Sequence, residues 1–181
     1  MIQPSREPKP EIGDAVEKQY LEFFAKPSSS RYAELLREQV AAPGYNAHED
    51  YVELKSMISE GKMDEAAAEL ERLMPLYPLS PRLHLLASYR AEAIGNKQLE
   101  DREQEFGFAC LEAILATGDG SAAKPYLCSK VSDEYDVLGI VLREEVEQQS
   151  LVQVGEKTCD KFLCQSGAEV HFDITLWFGS H

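Results

Sequence analysis

Asp160, His171 and Asp173 are side chains of the types that bind divalent cations or move protons. They fall in Thr158–Cys164 and Ala168–Trp177, which alternate apolar and polar residues as strands do and are separated by Ser166-Gly167. A two-residue hairpin turn at that dipeptide sets a register pairing Leu163 with Val170 and Lys161 with Phe172. Asp160 then stands directly across from Asp173, with His171 one pair away. Opposed carboxylates destabilise a sheet unless something compensates. The arrangement therefore predicts a metal site made of Asp160, Asp173 and His171, or a hydrolytic enzyme in which one acid has a raised pKa. The competing readings are a solvated face, or a one-residue slip that sends the side chains to opposite faces.

Other signals for chemistry are weak. There is no nucleophile elbow, zinc motif or dinucleotide fingerprint. The glycine-rich run Thr117-Gly118-Asp119-Gly120-Ser121 follows a helix, where free carbonyls and the negative dipole end repel anions, so a phosphate loop is rejected. Gly118 is expected instead as the left-handed residue that stops the helix, with Asp119 tightening the turn. Cys110, Cys128, Cys159 and Cys164 form no C-x-x-C pair and predict reduced, buried thiols. No cofactor is expected, and the lack of a complete catalytic set favours a non-enzymatic protein.

The elements that must position these residues fall into two halves. At 181 residues the chain is large enough to bury a core without staples. Residues 1–10, with three prolines, predict a flexible tail, residues 11–117 a helical region, and residues 118–181 a small α+β module. The fold class is α+β: helical hairpins, then a small antiparallel β-meander with one helix. In the first half, apolar residues at helical spacing are punctuated by Pro27, Pro43-Gly44, Gly61, Ser80-Pro81 and Gly95. Asn46 and Glu49 have the form of a capping box for a helix that buries Val52, Leu54, Met57 and Ile58. Gly61 and Gly95 are 34 residues apart, the tetratricopeptide period, with Ala66 at the small-residue position and Pro78 at the repeat end. Unrelated helical hairpins give the same pattern more loosely. Tetratricopeptide repeats present a concave face to peptides, and Tyr51, His84 and Tyr89 are its candidate partner-binding residues here.

In the second half Ser132 is expected to cap a helix whose first turn carries Asp133 and Glu134. Three strands follow, with Gly155-Glu156 as the first hairpin turn, pairing Val152 with Cys159. The segments Leu111–Ser121, Val131–Leu138, Gln149–Val152 and Val170–Thr175 resemble, in order and spacing, an uncharacterised bacterial family common in Bacteroidetes. That domain of unknown function carries L-x-A-I-L-x-S-G-D-G, S-V-x-x-E-Y-D-x-L, Q-S-L-V and Y-F-D-[IV]-[ST] after tetratricopeptide-like helices. The resemblance implies architecture and no activity. His171 stands where the family has tyrosine, which weakens a catalytic reading of it.

The formal net charge of −14 is spread over both halves and repels phosphate backbones and anionic membranes, so no nucleic-acid partner is expected. No run is long enough to span a membrane, and no signal peptide is visible. The expectation is a cytoplasmic protein, or a periplasmic or exported one if the N-terminus is trimmed. The leading function is a protein or peptide interaction module. The alternatives are the metal-binding or hydrolytic site above, and an acidic neutraliser of a basic toxin. Oligomeric state is left open.

Overall fold

A computed structural model describes the chain over residues 12–178, with side chains from 18. The expected tail at 1–10 lies outside the described residues. Among the described residues, seven helices and a four-stranded sheet make an α+β fold.

Helix α1 (Ile12–Ala25) ends before Pro27, and α2 (Ser29–Ala41) starts where the Ser28 side chain accepts from the Arg31 amide. Helix α3 (Val52–Ser59) is shorter than the capping box predicts. Asn46 Oδ1 accepts from the His48 amide in a local turn, and Tyr51, with φ +58, precedes the helix. Val52 is consequently exposed, while Leu54 is buried. Gly61 and Gly95 take positive φ at the turns from α3 into α4 (Met63–Leu73) and from α5 (Pro81–Ala93) into α6 (Lys97–Leu115). Two hairpins with equivalent turn glycines are therefore present. Ser80 caps α5, with Pro81 in its first turn.

The turn after α6 differs from expectation. Gly118 has no positive φ; a Cβ there would lie 2.4 Å from the Lys124 carbonyl oxygen and 2.5 Å from that of Pro125. It is glycine because the returning backbone passes against it. Gly120 carries the left-handed conformation, φ +76. The amides of Asp119 and Gly120 both donate to the Lys124 carbonyl, so they cradle no anion. Asp119 Oδ1 accepts from the Ser121 amide and tightens the turn as expected.

Strand β1 (Tyr126–Leu127) leads into α7 (Val131–Asp136), which continues as a wider π-helical turn over Val137–Leu142. Strands β2 (Val146–Val154), β3 (Lys157–Cys164) and β4 (Glu169–Asp173) follow, in the sheet order β1-β4-β3-β2. Three strands form the antiparallel meander, and β1 adds in parallel beside β4.

Between β2 and β3 the two-residue turn at Gly155-Glu156 places Val152 opposite Cys159, as expected. The turn between β3 and β4 overturns the other register. It has three residues, Gln165 to Gly167, with Gly167 at φ +86 and the Cys164 amide donating to the Ala168 carbonyl. One extra loop residue shifts β4 by one position. Phe162 therefore faces Val170 and Asp160 faces Phe172, while Cys159 faces Asp173.

One core runs through both halves. Tyr32, Leu35 and Leu36 of α2 and Cys110, Leu111 and Ile114 of α6 pack with Val137, Leu138, Phe162, Phe172 and Trp177. A second cluster, with Leu54, Ala66, Leu73, Leu83 and Leu86, lies among α3, α4 and α5. All four cysteines are buried and free, as expected. Among the described residues no helix is long and apolar enough to cross a membrane.

Candidate functional site

The register separates the residues predicted to share a metal. Asp160 lies on the core face of the sheet with Phe162 and Phe172; His171 and Asp173 lie on the other face. Asp173 is taken up by Lys157 at 3.1 Å and by the Thr175 hydroxyl and amide. His171 is buried, and its backbone amide donates to the Gly120 carbonyl. Among the described residues no three His, Cys, Asp or Glu side chains are grouped to hold an ion. The pairing of Asp160 with Asp173 is therefore corrected, and the shared metal site goes with it.

The residues expected on a concave face are also dispersed. Tyr51 and His84 are buried, and only Tyr89, 54% exposed, faces solvent. His84 Nδ1 is 2.8 Å from Glu103 Oε2 and its Nε2 is 2.9 Å from the Pro78 carbonyl, so both ring nitrogens are engaged inside the molecule. Burial pushes the Glu103 carboxyl up, but the hydrogen bonds and charge of His84 and Arg102 outweigh it and leave Glu103 below the usual carboxylate range. Tyr51 has an internal partner. The Lys130 ammonium, with no exposed surface, sits 4.0 Å from the Tyr51 ring centroid and 4.3 Å from that of Tyr77. A lysine of the second half is thus clamped by two tyrosines of the first.

Lys130 belongs to an unusual segment. Helix α7 turns Asp133, Glu134 and Asp136 inward, leaving Tyr135 outside. Buried acids are rare unless paired, and each has one partner here. Asp133 Oδ2 accepts from the Ser129 amide and hydroxyl, and the Tyr45 hydroxyl donates to the Ser129 carbonyl beside it. Asp136 Oδ1 accepts from the Arg82 guanidinium. The Cys128 thiol donates to Glu134 Oε1 at 3.8 Å. The second oxygens of all three acids, the Lys130 amine and the Ser132 hydroxyl accept or donate no hydrogen bond within the described protein. Ser132 is thus no cap; the Lys130 backbone occupies that position. Burial raises the carboxyls of Asp133 and Asp136 and depresses Lys130.

Glu134 resolves differently because its neighbour is Asp160. Burial first, then the charge of Asp160, pushes the Glu134 carboxyl well above the usual carboxylate range, toward the protonated form that can donate to Asp160. From the other side the Tyr135 hydroxyl donates to Gln149 Oε1 at 2.9 Å, and Gln149 Nε2 donates to Asp160 Oδ2 at 3.0 Å. Asp160 is therefore the acceptor at the end of the Tyr135–Gln149 chain, with the Glu134 carboxyl as its buried neighbour.

Asp160 also lines a pocket of about 460 Å³ with His48, Val131, Gln149, Leu151, Ile174, Trp177 and Phe178. The Trp177 indole donates to the Cys128 carbonyl at 3.1 Å, which holds this wall in place. The mouth is apolar: Leu151 is 53% and Phe178 50% exposed. An apolar pocket with a few convergent polar groups is the usual form of a binding site. A second depression of about 310 Å³, between the start of α2 and β4, contains Lys157 and Asp173 already paired.

The sequence places Asp133 and Glu134 in the first turn of a helix, where the dipole favours them, and gives no role to Lys130. The available signal was density: Lys130, Asp133, Glu134 and Asp136 crowd a helix only six residues long. Comparison with protein-family models, with curated proteins and with solved structures finds no match to this chain.

Proposed function

We propose that this chain is a non-enzymatic module that binds a protein or peptide, with tetratricopeptide-like hairpins buttressing a small sheet that carries the binding face. The observation that carries this reading is the pocket: a polar floor at buried Asp160, bridged by exposed Gln149, under an apolar mouth of Leu151 and Phe178, each about half exposed. The floor lacks the parts of a catalyst. Glu134 and Asp160 are neighbouring buried carboxyls, the thiol of Cys128 is buried and raised by that burial, and among the described residues no Ser, Thr, Cys or Lys lines the pocket. Membership of the uncharacterised bacterial family is part of the same proposal, resting on the motifs around Gly118, Glu134, Gln149 and Phe172. The net charge of −14 favours a partner that is not nucleic acid.

Selection of a displayed random-peptide library on the immobilised chain tests the reading. Sequences should enrich whose binding is lost both in Leu151→Asp and in the uncharged Leu151→Ser, the second because a carboxylate at 151 would stand opposite Asp160. Equal enrichment on the wild type and on Leu151→Asp would sink it.

A further inference from the structure

Strand β2 is an edge strand. Among the described residues it pairs only with β3, and five of its nine residues are exposed, including Glu147, Gln148 and Gln149. Monomeric proteins normally blunt such an edge with charge, proline or a bulge, because its free N–H and C=O groups template another strand. Here the bulge is confined to the start, between Val146 and Gln148. From Gln148 to Val154 the edge reads Gln-Gln-Ser-Leu-Val-Gln-Val, without a charge or a proline. That stretch runs in regular register against β3, so it is straight enough to accept a partner.

The pocket lies beside this edge. Leu151 is the cross-strand partner of Asp160, and Gln149 donates to the Asp160 carboxylate across the diagonal. A strand added outside β2 would stand two strand spacings, roughly 10 Å, from β3. A long side chain on it could pass between Gln149 and Leu151 to the Asp160 carboxylate. Apolar walls from Leu151 and Trp177 suit the methylene stem of arginine or lysine, and the carboxylate suits its charged head. The charge of the whole chain, −14, attracts such a partner and repels a second copy of itself.

We infer that the β2 edge takes an extended basic peptide as a fifth strand, with an arginine or lysine side chain of that peptide seated in the pocket on Asp160. This rests on the interaction-module reading and names its partner. Main-chain hydrogen bonds along β2 supply the affinity, and the pocket supplies the choice of residue.

The test uses three fluorescein-labelled nonapeptides of alternating valine and threonine, carrying arginine, glutamate or leucine at the centre, in anisotropy titrations. The arginine peptide should bind about tenfold more tightly than the other two, and that preference should vanish in Asp160→Asn. Raising the salt should weaken it, and N-methylation of alternate backbone amides should abolish binding. Glu71→Ala, at an exposed position of α4 outside the pocket lining, is a second protein variant that should retain strand addition. Indifference to the central residue, or to N-methylation, overturns this inference while leaving the interaction module standing. A dimer in sedimentation that Leu151→Asp dissociates would also overturn it, by showing the edge to be taken by a second copy. If no peptide binds here and the library enriches nothing, both readings fall.

Discussion

At the residue scale the least conventional group is Lys130. A buried ammonium costs several kcal/mol of desolvation, and two tyrosine faces with a nearby carboxylate must offset it. Breaking a buried pair costs more than the pair is worth, because the survivor is left uncompensated. Lys130→Met should therefore lower stability by about 3 kcal/mol, and Lys130→Met combined with Asp133→Asn should cost less than the two single losses added. Urea denaturation of the four proteins in this cycle measures it; strict additivity would contradict the clamp. The inward acids set a pH dependence as well. Burial raises Asp133, Glu134, Asp136 and Asp160, so between the ordinary carboxylate pKa near 4 and their folded values the native chain holds more protons than the unfolded one. Stability accordingly falls as pH rises through that window. Glu103, lowered by His84 and Arg102, acts the other way, but only as acid takes the pH below the ordinary carboxylate range. Lys130, depressed by burial, favours folding progressively from its lowered value up to the ordinary lysine range. The urea midpoint should therefore be higher at pH 5 than at pH 8, and Glu134→Gln should flatten the difference.

At the element scale two turns decide the architecture. The turn after α6 folds back so closely that any side chain at Gly118 meets the Lys124 and Pro125 carbonyls. Gly118→Ala should cost about 3 kcal/mol through forced displacement of backbone. Gly61→Ala, with open space around the Cβ but φ +76, should cost only about 1 kcal/mol. Thermal melting of both separates crowding from backbone conformation, and equal losses would refute the distinction. The three-residue turn at Gln165 to Gly167 governs which face of β4 meets the core. Deleting Ser166 would impose the two-residue turn and rotate Val170 and Phe172 away from Phe162, so the variant should lose its cooperative melt.

At the scale of the whole molecule the helical and strand-rich halves share one core. Cys110, Leu111 and Ile114 from the first half pack with Phe162, Phe172 and Trp177 from the second, and Lys130 locks between Tyr51 and Tyr77. The two halves should unfold together. Trp177, the one tryptophan, reports on the second half, while far-UV circular dichroism is dominated by the helices of the first. Their urea transitions should coincide; separate midpoints would mean two independent units. The binding face depends on this union, since the pocket combines His48 from the α2–α3 connection with Asp160 from β3 and Trp177 from the C-terminal turn.

Local rules sufficed for much of this chain. The helix starts at Ser28 and Ser80, the turns at Gly61, Gly95 and Gly155, the buried thiols and the α+β class all follow from backbone propensity and apolar spacing over a few residues. They failed wherever the outcome depended on something distant. Gly118 is required by backbone returning six residues later, at Lys124 and Pro125, and β1 joins its sheet in parallel beside β4. The register of β4 turned on one loop residue, and that residue decided whether Asp160 met Asp173 or Phe172. The inward acids of α7 look like ordinary first-turn residues until Arg82, Ser129, Cys128 and Asp160 close around them. Charge burial belongs to the packed whole: a sequence shows which side chains can be ionised, and only the fold decides which of them lose their water.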